Sequence, residues 1–294
     1  MRIERALRCS TTCFLCFVWV FALLIPLIYF RSLPVSHTPP PWPPTKKLYA
    51  QYSMNELLNI SKAYYDDSHV MNESVTLKPR DLEWALEQSV RRLNFEYGAD
   101  ADMLYDALAT LKLNGKRVIA VESKSPWIES ALLSRGASTV SVMRSNFESE
   151  DPRVVAISVD EVARRLSKDF NEKDRFDFLA AFAPLEHLGL GRFGEPLDAY
   201  SDVAFMQMSW CLLKPGGLML IGLPIGYDHV TWNAYRLYGP IRLPLITAGF
   251  RILSVFTMSD AGAVKWNHLT EEQWLFQYTP VGAHILTVLI LKRF

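Results

Sequence analysis

The run RFDFLAAFAPLEHLGLGRFGEPLDAYSDVAFMQMSWCLLKPGGLMLIGLP, residues 175–224, decides the fold. Its first part, 175–182, is a short apolar run of buried-strand length, and 198–213 repeats apolar residues at helical spacing. Lys214-Pro-Gly-Gly217 stops that helix, and 218–224 is again a continuous apolar run. Strand, helix and strand in this order require a parallel pair with the helix laid across it.

The same alternation extends upstream. Helices are expected over 81–94, with Asp81 as N-cap, and over 102–113, stopped by Asn114-Gly115. Then come a strand over 117–122, a helix over 126–135, and strands over 138–143 and 153–159. Ser125 suits an N-cap, Pro126 the first helical position and Gly136 the residue past the helix end. Downstream, 250–258 and 284–294 read as two strands joined by a long connection. The expected architecture is α/β: a Rossmann-like sheet of seven strands with helices on both faces.

The segments FDFLAAFAPLEHLGLG (176–191) and CLLKPGGLMLIG (211–222) resemble the fourth and fifth strands of a class I methyltransferase. More closely, SPWIESALLSRGASTVSV (125–142), LEHLGLGRFGEPLDAYSD (185–202) and WNAYRLYGPIRLPL (232–245) together are similar to a methyltransferase-like domain of unknown function from nematodes. The resemblance spans Leu93 to Phe294. It implies a closing pair of strands with the last one antiparallel, and S-adenosylmethionine as cofactor.

The cofactor parts depart from that pattern. The first strand-to-helix turn, Glu122-Ser-Lys-Ser-Pro-Trp127, has no glycine between Lys116 and Arg135, although a close backbone approach to a cofactor calls for one. Pro126 offers no N–H, and Met143-Arg144 stands where the resemblance places a ribose-binding acid. Three residues are left as cofactor-binding candidates. Glu122 is the candidate to take over part of the missing acid's ribose binding, Trp127 either stacks on adenine or packs a helix onto the sheet, and Asp160 either reaches the adenine amino group or caps the next helix.

Open α/β sheets bind ligands at the carboxyl edge of their strands. Glu186 and His187 follow the fourth strand at that edge and are the catalytic candidates, a base able to take a proton from an acceptor as it receives a methyl group. Arg192 and Asp198 in the 191–202 loop, with Asp228, Asn233 and Arg236 in the 226–240 stretch, are the candidate substrate-binding set. They suit a small molecule or a glycan. The six histidines are scattered without ligand spacing, so no metal is expected.

The N-terminal run CFLCFVWVFALLIPLIYF, 13–30, is uncharged and near the length of a membrane span. Arg2, Arg5 and Arg8 precede it, which implies a cytoplasmic tail over 1–12 and a signal anchor of type II orientation. Residues 31–80 then read as a Pro-rich stalk and linker, and 81–294 as the globular domain. Two sequons, at Asn59 and Asn72, suit an endoplasmic reticulum or Golgi lumen. The 294 residues carry 31 basic and 31 acidic side chains, a balance that gives no electrostatic case for nucleic acid. Apart from Cys211 the four cysteines lie in or beside the apolar run, so the domain has no internal disulfide.

Three functions fit: a membrane-tethered methyltransferase, a non-catalytic module that keeps the fold for binding, and a Golgi-type glycosyltransferase. The last rests on domain layout and on Asp100-Ala-Asp102, a motif too short to be specific.

Overall fold

The computed structural model describes residues 42–69, 73–93, 97–121, 125–144, 146–162, 174–259, 262–266 and 284–294. In chain order these form α1 (Lys46–Tyr52), β1 (Asn59–Lys62), β2 (Val75–Leu77), α2 (Pro79–Val90), α3 (Ala101–Ala109), β3 (Val118–Val121), α4 (Trp127–Ser134), β4 (Val140–Met143), β5 (Phe147–Ser149) and β6 (Val154–Ile157). There follow β7 (Phe176–Phe182), a 3-10 turn (Leu185–His187), α5 (Ser201–Leu212), β8 (Leu213–Gly226), β9 (His229–Trp232) and β10 (Tyr235–Leu237). The chain closes with α6 (Arg242–Ile246), β11 (Phe250–Ser259), β12 (Gly262–Trp266) and β13 (His284–Arg293).

The main sheet runs β12-β11-β13-β8-β7-β3-β4-β6. Strands β6, β4, β3, β7 and β8 are parallel, whereas β13 is antiparallel to both β8 and β11. Without β12 this is the Rossmann-like, methyltransferase-type sheet, with its winding reversed between β3 and β7. The sequence's seven strands become eight because β12 turns back onto β11 as an edge strand. Two small sheets, β1-β9-β10 and β2-β5, were not legible as strands.

Alternation places successive strand residues on opposite faces. Ile119, Val121, Leu179 and Ala181 enter one core with Phe205 and Met206 of α5 and Ile246 of α6. Val118, Ala120, Phe178 and Ala180 enter the other with Met103 and Leu104 of α3 and Ile128 and Leu132 of α4. The Lys214-Pro-Gly-Gly217 stretch is the bulge that lets β8 pair with β7 at both Leu213 and Leu218, and Gly216 takes φ 76° there.

Local caps differ from the sequence reading at three places, the first being α4, whose N-cap is Pro126 in place of Ser125 and whose first helical residue is Trp127. Lys78 is the N-cap of α2 and Pro79 opens it, which leaves Asp81 in the first turn. The helical turn beginning at Val159 is capped by Ser158, whose Oγ accepts the Glu161 N–H at 3.1 Å. Asp160 therefore sits inside that turn and is not its cap.

No helix among the described residues is long and apolar enough to cross a membrane, and the run 13–30 lies outside them. Residues 46–62, placed by sequence in the linker, form α1 and β1 and pack onto the carboxyl rim. There Tyr52 and Leu58 join Leu190, Ala199, Val230 and Trp232 in a third apolar cluster.

Candidate functional site

β7 ends at Phe182, and the chain turns sharply through Ala183 at φ 56°, a left-handed conformation that costs a non-glycine residue about 1–3 kcal/mol. Pro184 then opens the 3-10 turn that carries Glu186 and His187. The turn lies at the carboxyl edge beside β8, where ligands of such sheets bind. Gly189, at φ 72°, closes it. A Cβ there would stand 2.2 Å from the Asp198 carbonyl oxygen, so only glycine fits.

Glu186 is 6% exposed, and its Oε2 has no hydrogen-bond partner among the described residues. Burial pushes its carboxyl up to about 8, against the pull of Arg192 and Arg236. His187 Nδ1 lies 2.6 Å from the Ala234 carbonyl. A carbonyl only accepts, so Nδ1 carries the proton and, in the neutral ring, Nε2 keeps its lone pair. That Nε2 is 3.8 Å from Glu186 Oε1.

Beneath the turn lies a buried polar network that sequence reasoning missed in part. Asp202, fully buried at the start of α5, accepts from Arg242 Nε and Nη2, both at 2.7 Å, from the Tyr238 hydroxyl at 3.2 Å and from the Val203 N–H at 2.9 Å. Burial alone would raise its carboxyl, yet Arg236 and Arg242 outweigh burial and hold it below the usual range. The signal was present: Asp202 shares one face of a helix with Phe205, Met206 and Ser209, an acid inside an apolar stripe.

The candidate substrate set converges on this rim but is spent on holding it. Arg236, wholly buried, donates to the Leu188 carbonyl and, at 3.3 Å, to the Asp198 carbonyl. Asp228 accepts the N–H groups of Gly239, Ile241 and Arg242 at 3.0, 2.7 and 2.9 Å. Asp198 accepts from the Tyr200 N–H at 2.9 Å and the Ser201 hydroxyl at 3.0 Å. Buried Asn233 clasps the backbone of Tyr65, taking its N–H at 2.9 Å and giving to its carbonyl at 2.7 Å. Each of the four has protein partners that give it a structural role at the rim, although Arg236 Nε has no hydrogen-bond partner among the described residues. Arg192 pairs with Asp67 at 2.6 Å and stacks on Tyr65 and Phe193.

On the cofactor side, Glu122 lies outside the described residues. Trp127 is 2% exposed, donates its indole N–H to the Tyr105 hydroxyl at 3.1 Å, and meets Phe182 edge to face. It is the packing residue of α4, with no ring face left for adenine. Arg144, Ser158, Asp160 and Glu161 line an open groove of about 850 Å³ beside β4 and β6. Asp160 thus keeps access to solvent at the strand end. Among the described residues no three His, Cys, Asp or Glu side chains come together as metal ligands.

The model of one protein family matches residues 115–287, more than half of the chain. The chain belongs to the Caenorhabditis proteins of unknown function, DUF268. The DUF268 region holds every candidate site residue named above apart from the sequon asparagines. No curated protein matches in sequence. Among solved structures, the chain is similar to the N-methyltransferase NodS from Bradyrhizobium japonicum WM9 in complex with S-adenosyl-L-homocysteine, at 10% identity and TM-score 0.41 over 72% of this chain and 98% of that one. It is also similar to an S-adenosylmethionine-dependent methyltransferase from Mesorhizobium loti, at 14% identity and TM-score 0.38 over 67% and 100% of the two chains. The cyclase SpnF gives 14% identity and TM-score 0.45 over 80% and 98%. Likenesses of this size carry no inference about activity.

Proposed function

We propose that the DUF268 region is a methyltransferase-like domain whose Glu186–His187 pair handles a proton on a hydroxyl-bearing small or glycan acceptor. One observation carries this reading: a carboxyl at the sheet's carboxyl edge, buried, held near 8, with one oxygen unpartnered among the described residues and an oriented imidazole beside it. A group whose protonation is balanced near working pH suits acid–base transfer. With Nδ1 tied to the Ala234 carbonyl, His187 Nε2 is the atom that takes the acceptor's proton and later yields it to solvent, and Glu186, when ionised, is the neighbour that steadies the imidazolium.

S-adenosylmethionine would supply the methyl group. Asp160, open to the groove, is the described residue placed to hold it, and Glu122 is the sequence's further candidate. Trp127, at the start of α4, is sealed in the core and offers no ring face to adenine. That burial favours a second reading, a non-catalytic module that keeps the fold for binding. The apolar run 13–30 and its flanking arginines support type II anchoring in the endoplasmic reticulum or Golgi, and Asn59, exposed at the start of β1, is accessible to a lumenal glycan. Asn72 lies outside the described residues.

The test is the melting temperature of the whole chain in detergent with S-adenosylmethionine, S-adenosylhomocysteine and nucleotide sugars. Ligand at 100 times its dissociation constant adds about 2.7 kcal/mol of stability. A flat response to both methyl-donor species removes the enzyme reading and leaves the binding module. A response to nucleotide sugars alone overturns both.

A further inference from the structure

The segment that enters the domain from the stalk is gripped in two different ways. Residues 46–62 are held by apolar burial, with Tyr52 in the rim cluster and β1 in register with β9 from Asn59 to Lys62. Beyond Lys62 the ladder with β9 ends, and Tyr64 and Tyr65 are 57% and 46% exposed. What holds 63–67 is polar: the Ala63 N–H on the Trp232 carbonyl at 2.7 Å, the Asn233 clasp on Tyr65, and Asp67 on Arg192 through both side chain and backbone. Water replaces such contacts at little net cost, whereas it cannot replace the packing around Tyr52.

The fixed ends of these grips are the neighbours of the proton-handling pair. Asn233 precedes Ala234, whose carbonyl orients His187. Arg192 is a charge acting on Glu186, and its neighbour Phe193 meets the His187 ring edge to face. Releasing 63–67 therefore frees Asn233 and Arg192, the residues next to the pair, without unpacking the rim cluster.

We infer that residues 63–67 are a strap, hinged at Lys62 and Ala63, that closes the rim over Glu186 and His187 and lifts to admit the acceptor. The acceptor's role rests on the acid–base reading; the movement of the strap does not.

The experiment is hydrogen exchange together with carbodiimide labelling of Glu186, read by mass spectrometry on the whole chain. Amides of 63–67 exchange at least about ten-fold faster than those of β1, the gap expected of a local opening. Asp67→Ala speeds Glu186 labelling about ten-fold while β1 amides stay slow, which shows that the fold is kept. A double variant, Asp67→Cys with Arg192→Cys, suppresses labelling when oxidised, and reductant restores it in the same molecule. Equal exchange in 63–67 and β1, or Glu186 labelling indifferent to both the variant and the lock, overturns the strap. Gated labelling combined with a flat melting response to S-adenosylmethionine keeps the strap and discards the methyl-transfer reading.

Discussion

The two ends of the carboxyl edge treat their polar and aromatic groups in opposite ways. At the first turn, Trp127 is driven inward, and its ring and N–H are consumed by Phe182 and Tyr105. After β7 and β8, charges are driven inward instead, and Asp202, Arg236 and Arg242 pair with one another and with the loop carbonyls. One region resembles an ordinary core; the other is a core built of ions. In the ionic region Glu186 Oε2 is the buried carboxylate oxygen left without a hydrogen-bond partner among the described residues, and Arg236 Nε and Arg242 Nη1 are buried donors left likewise. The lesson is that convergence of polar residues at a ligand-binding edge does not by itself make a site. What matters is which polar atoms remain unspent after the fold has used the rest.

The largest expected effect comes from removing the anion at the centre of the ionic region. Asp202→Ala leaves two buried guanidinium groups without their counter-charge and destabilises the domain by about 3–5 kcal/mol. Denaturant unfolding measures this, and a loss under about 1 kcal/mol would mean the network is incidental.

Next is the pH profile. Glu186 has its folded carboxyl raised from 4.5 to about 8, so the folded state binds the proton more tightly than the unfolded one. Its contribution is fully present below the unfolded value and is lost as pH climbs through the folded one. Wild-type stability should therefore fall between about pH 5 and 8 relative to Glu186→Gln, by on the order of 3 kcal/mol at the upper end. Parallel profiles for the two proteins would show that Glu186 is not held protonated.

A smaller effect tests the apolar region. Trp127→Phe loses the hydrogen bond to Tyr105 and part of the indole's volume, for about 1–2 kcal/mol, and leaves any methyl-donor binding unchanged. If instead the melting response to S-adenosylmethionine disappears, the ring does serve a ligand. The smallest effect lies outside both regions. Asn59→Gln changes stability by less than about 0.5 kcal/mol and, in a lumenal protein, removes one glycosidase-sensitive mass step. No mass step in the wild-type chain would count against lumenal exposure.

The strand and helix series was legible because periodicity and breakers are local. The apolar run 175–182, the helix after Asp198 and the stop at Lys214-Pro-Gly-Gly217 all report their own conformation. The place of Glu186 and His187 after β7 was legible for the same reason. The strand β9–β10 hairpin was not, since His229–Leu237 mixes polar and aromatic residues without clean alternation and is completed only by β1, over 160 positions earlier in the chain. Nor was the fate of Asp228 or Asn233. A carboxylate that caps three loop amides and one that awaits a ligand look identical in a sequence.

The sequence by itself determined the parallel sheet and the position of the polar loops at one edge, because both follow from short-range pattern and from the handedness of strand–helix crossovers; the closing antiparallel pair came from the family resemblance. Only the tertiary structure decided which of those polar groups the protein spends on itself. Hydrogen-bond satisfaction depends on partners brought together from distant parts of the chain, and a buried group with no such partner is visible only once the packing around it exists.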